Sequence, residues 1–63
     1  MTVDEIKMEV KKIMLVRKTD PKECDELLNN LQQRIERHID HHKLPKIWAV
    51  HLMEIFFKAI DEN

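Results

Sequence analysis

The sequence contains no glycine, no serine and no tyrosine. Without glycine, the tight hairpin turns that need positive φ lose their usual residue, which argues against a β-hairpin architecture. Without glycine and serine there is no nucleophile elbow and no glycine-rich phosphate loop. Cysteine occurs once, at Cys24, so no disulfide can form within the chain. One thiol, together with a start (MTVDEIK) that is charged at once and has no apolar leader segment, leads to the expectation of a reducing, cytosolic setting. No apolar run reaches the roughly 18 residues of a membrane span. Neither charge sign dominates. Eleven Lys and Arg stand against 12 Asp and Glu, for a net charge of −1. No global field would therefore draw in nucleic acid or an anionic membrane.

What is present points to helices. The chain has 63 residues, 37% of them charged, and two prolines, Pro21 and Pro45. A chain of this size is one domain, and folding buries only about 60% of the surface its unfolded form exposes. Small scaffolds compensate with disulfides, a metal, oligomerisation or very regular helix packing; the first of these is closed here. The prolines divide the chain into three helical segments, over about residues 3–18, 21–42 and 45–61 of a single domain spanning 1–63. Thr2 and Glu5 form a capping box at the first start, and Val3, Ile6, Val10 and Ile13 follow at 3-4-3 spacing. Asp20, Pro21 and Glu23 form a second start with N-cap, first-turn proline and capping-box acid. The stripe behind it is Cys24, Leu28, Leu31, Ile35, His38 and His42. Leu44-Pro45 opens the third segment with a poor cap. The links are about two residues long, and short links favour antiparallel neighbours. The expected fold is all-α: three helices in a short antiparallel bundle, or a hairpin with a third helix beside it, assembled as a homodimer.

The third segment raises the functional question. Ile47 to Ile60 reads IWAVHLMEIFFKAI, in which only His51, Glu54 and Lys58 are not apolar. An ordinary surface helix has one apolar stripe; this one has two. Ala49, Met53, Phe56 and Ile60, flanked by Val50 and Phe57, carry the larger volume and are assigned to the core. Trp48, Leu52, Ile55 and Ala59 are then left for a partner, joined by Met8 and Leu15, which lie seven apart on an otherwise polar face of the first helix. The competing reading places the third helix between the other two, where one chain could absorb both seams.

Chemistry is sparse. His38 and His42, in HIDHH, have the i,i+4 spacing of a shared metal site, but zinc takes about four ligands, so they are read as helix-end histidines and no cofactor is expected. Cys24 sits on an apolar stripe and reads as a small core residue. The carboxylates Glu23, Asp25 and Glu26 read as helix-start charges. No catalytic residue is assigned. A DNA-reading helix needs polar side chains toward base edges, which the third helix lacks. The basic face of the first helix (Lys7, Lys11, Lys12, Arg17, Lys18) is the alternative, as a weak nucleic-acid-binding accessory factor.

Taken whole, the start MTVDEIKMEVKKIM and the stretch HHKLPKIWAVHLMEIFFKAI resemble the 63-residue open-reading-frame proteins of the exo–xis region of lambdoid bacteriophages. The resemblance implies a small, early-expressed accessory protein in the bacterial host cytoplasm, without enzymatic activity. Its implied role lies in the choice between lysis and lysogeny or in interference with host regulation, through a phage or host protein partner. It carries over no functional residue.

Overall fold

Residues 1–62 are described by a computed structural model, in which three α-helices follow one another: α1 (Val3–Val16), α2 (Pro21–His41) and α3 (Lys46–Glu62). No strand occurs among the described residues. The ends of the helices follow from local chemistry. At the start of α1 the Glu5 N–H donates to Thr2 Oγ1 at 3.2 Å and the Thr2 N–H donates to Glu5 Oε2 at 3.4 Å, a complete capping box. At the start of α2 the Glu23 N–H donates to Asp20 Oδ1 at 3.1 Å. The reciprocal half of that second box is missing, because the Asp20 N–H already donates to the Val16 carbonyl at 2.8 Å. The same carbonyl accepts from the Thr19 N–H and the Thr19 hydroxyl. This capture ends α1 at Val16, two residues before the expected limit, and leaves Arg17 and Lys18 outside the helix.

The end of α2 shows what a chain without glycine does at a helix terminus. The Leu44 N–H donates to the Ile39 carbonyl and the Lys43 N–H donates to the Asp40 carbonyl, at 3.1 and 3.3 Å. This is a Schellman motif, with Leu44 and Ile39 both packed against the core as its apolar contact. The motif demands a left-handed residue, and Lys43 supplies it at φ 49°. Pro45 then stands just before α3, its carbonyl accepting from the N–H groups of Trp48 and Ala49. It occupies the N-cap position, where the sequence reading has it as the first helical residue. The links cover residues 17–20 and 42–45, longer than the expected two.

Each helix packs against both others, and the contact between α1 and α3 is the most extensive. The core takes Ile6, Val10, Ile13 and Met14 from α1, Cys24, Leu31 and Ile35 from α2, and Leu52, Phe56 and Ala59 from α3. The shortest helix thus contributes the most buried side chains. The long dimension, 37 Å, is set by α2, whose 21 residues span about 32 Å. On the surface Arg34 clasps Glu9 through two hydrogen bonds, 2.9 and 3.2 Å, tying α2 to α1. Both groups are solvated, so the pair contributes no more than about 1 kcal/mol.

Lys43 gives a direct test of this geometry. A side chain in the left-handed region costs about 1–2 kcal/mol, while glycine loosens the unfolded chain by about 0.4–1 kcal/mol. Lys43→Gly is expected to stabilise the protein by about 0.5–1 kcal/mol net, a rise of roughly 3–6 °C in the thermal midpoint. Lys43→Val should lower it. Melting followed by circular dichroism checks both.

Candidate interaction surface

Helix α3 presents apolar residues round most of its girth, and the structure decides which of them face inward. Leu52, Phe56 and Ala59 are buried, whereas Ala49, Met53, Ile55 and Ile60 are only partly covered. Four large residues of α3 remain in solvent: Ile47 (76% exposed), Trp48 (53%), Phe57 (51%) and Val50 (48%). The inward direction therefore falls between the two seams read from the sequence, and each seam is split.

This corrects the expected partition. Leu52 and Ala59, expected in a partner interface, belong to the chain's own core. Val50 and Phe57, expected in the core, stand outside. Side-chain volume was the wrong guide. The small Ala59 is buried while the larger Val50 and Phe57 are not; beside Ala59, Lys7 of α1 and Ile55, Lys58 and Glu62 of α3 rim a surface cleft. Of the six residues expected to meet a partner, Trp48, Met8 and Leu15 are exposed and Ile55 is partly so. Met8 and Leu15 lie on the side of α1 turned away from Ile6, Val10 and Ile13, and so do not join the α3 surface.

What the structure leaves uncovered on α3 is a row the sequence reading missed. Val50 and Phe57 are seven residues apart and share one face, with Met53 between them on its flank. Lys46 stands at one end of this row and Asp61 at the other, both exposed. On the opposite side of α3 from this row, Trp48 packs edge-on against His51 with ring centroids 5.6 Å apart.

The histidines make no centre. His38 and His42 bring their rings to 4.4 Å, and His41 meets His42 edge-on at 5.4 Å. No group of three or more His, Cys, Asp or Glu able to hold a metal ion occurs among the described residues. Cys24 is buried in the core, away from the histidines at the far end of α2. His38 lines a shallow apolar groove with Met1, Val3, Leu44, Trp48 and Leu52. Desolvation holds its pKa below the usual 6.5; the Met1 amino group, His42 and His41 push the same way, and Glu5 opposes them. No described helix is long and apolar enough to cross a membrane. No protein-family model, curated protein or solved structure matches the chain.

The depressed pKa of His38 fixes the sign of a pH effect. The folded state disfavours the charged ring, so the unfolded chain binds the proton more readily. The stability contribution is fully present above pH 6.5 and is lost as the pH falls through the lowered folded value. Thermal midpoints are expected to drop between pH 7.5 and 5, and His38→Gln should flatten the decline in that window. An unchanged slope in the variant would remove His38 as its source.

Proposed function

We propose that this chain is a small, non-enzymatic helical interaction protein that binds protein through the apolar surface its own fold leaves open, and that it self-associates as a two-fold homodimer. Short links between its helices favour antiparallel neighbours within each chain. The observation that carries this reading is the exposed row on α3. Val50 and Phe57 on this row, and Ile47 beside it, each about half or more in water, forgo burial worth roughly 1.5–3 kcal/mol apiece when complete. Trp48, half exposed on the opposite side of α3, is of a residue type enriched at binding hot spots. The non-enzymatic reading is supported by the burial of Cys24 and by the helix-end position of the histidines. The phage setting, an early accessory factor of lysis–lysogeny choice or host regulation in the bacterial cytoplasm, rests on the resemblance of the two quoted stretches. Within that setting a phage or host protein is the further partner.

Sedimentation equilibrium at micromolar concentration is expected to show a dimer. Phe57→Asp should give a monomer that keeps its helical circular dichroism, since the side chain lies outside the core. A monomeric native chain would overturn self-association. One observation favours a second reading: Lys7, Lys11 and Lys18 are exposed and share a face of the first helix and its end. A strong, salt-dependent gel shift with short duplex DNA would promote that nucleic-acid role, and its absence leaves protein binding in place.

A further inference from the structure

The open row on α3 has a pattern that names its own partner. Read along the face it runs Lys46, Val50, Phe57, Asp61: cation, apolar, apolar, anion. The intervals are four, seven and four residues, so the row has the same spacing read in either direction. Reversed against itself, it sets Val50 of one copy opposite Phe57 of the other and Lys46 opposite Asp61. In a parallel arrangement Lys46 would meet Lys46 and Asp61 would meet Asp61.

The helix ends point the same way. Pro45, at the N-cap of α3, has no side-chain oxygen to accept from the N–H groups of the first turn, and that end keeps its partial positive charge. Asp61 lies at the other end, where the helix dipole disfavours an anion. Neither Lys46 nor Asp61 has an ion-pair partner within 4 Å among the described residues. Antiparallel pairing brings Asp61 beside the uncapped start of the second α3, which satisfies both ends together.

We infer that the occupant of this face is a second copy of the chain, with the two α3 helices antiparallel about a two-fold axis close to Met53 and Glu54. This deepens the self-association proposed above and rests on it. The axis also brings Glu54 near its own copy at the rim, a modest repulsion that Glu54→Gln should relieve.

Charge exchange tests the register. Lys46→Glu and Asp61→Lys are each expected to weaken the dimer roughly tenfold, since each replaces two attractive rim pairs by repulsive ones. The double variant should recover the native affinity, and a mixture of the two single variants should form a heterodimer. Oxidation of mixed Val50→Cys and Phe57→Cys chains should cross-link one variant to the other, with neither variant cross-linking to itself. A dimer that ignores both charge changes, or Val50→Cys chains that cross-link to themselves, would overturn this geometry while leaving self-association intact. A native chain that stays monomeric would remove both.

Discussion

The apolar stripe of α1 is the contact on which the other two helices depend. Ile6, Val10, Ile13 and Met14 are buried between α2 and α3, and two of them have no exposed surface at all. At roughly 1.5–3 kcal/mol for each fully buried aliphatic chain, these four outweigh every polar interaction on the surface. The Glu9–Arg34 clasp, the other link between α1 and α2, is solvated and screened. A protein of this length has a net stability of only about 3–9 kcal/mol. The shortest helix therefore supplies the largest share of the surface on which the other two pack.

Placing α1 at the centre has a consequence for α3. Two neighbours cover an arc of a helix, not its circumference. Leu52, Phe56 and Ala59 fill that arc, and the residues on its flanks are half covered. Ile47, Val50 and Phe57 lie beyond it. The same run of apolar residues that makes α3 a good core helix leaves it with more apolar surface than α1 and α2 can shelter. The surplus does not arise from loose packing. It is a property of the sequence, because Ile47, Val50 and Phe57 lie on the side of α3 away from Leu52, Phe56 and Ala59.

Much of the fold was legible in the residues, and the reasons are local. Thr2 with Glu5, Asp20 with Pro21, and the two proline boundaries announce helix starts through chemistry that acts over three or four residues. The burial of Cys24, Leu31 and Ile35 follows from a single unambiguous stripe. The inward direction of α3 was not legible, because both candidate seams are apolar and periodicity cannot choose between them. Ranking them by volume favoured Met53 and Ile60, whereas the buried residues are Leu52, Phe56 and Ala59, and which side faces inward depends on where the other helices lie. Lys43 was missed for a similar reason: a lysine carries no mark of a left-handed conformation, which becomes visible only when the carbonyls of Ile39 and Asp40 need donors.

Small size, a central α1 and a surplus on α3 meet in one thermodynamic point. In the proposed dimer the apolar row leaves water only on assembly, so the stabilisation it supplies obeys mass action and grows with protein concentration. For a large domain that increment would be a minor addition. Here the burial of a few side chains would be comparable with the whole net stability of the protomer, and association would add to the stability of a fold that already forms alone. A partner that competes for the same face of α3 would then act on the stability of the protein as well as on its assembly, and the exposed row would serve as the point at which binding is read by the fold.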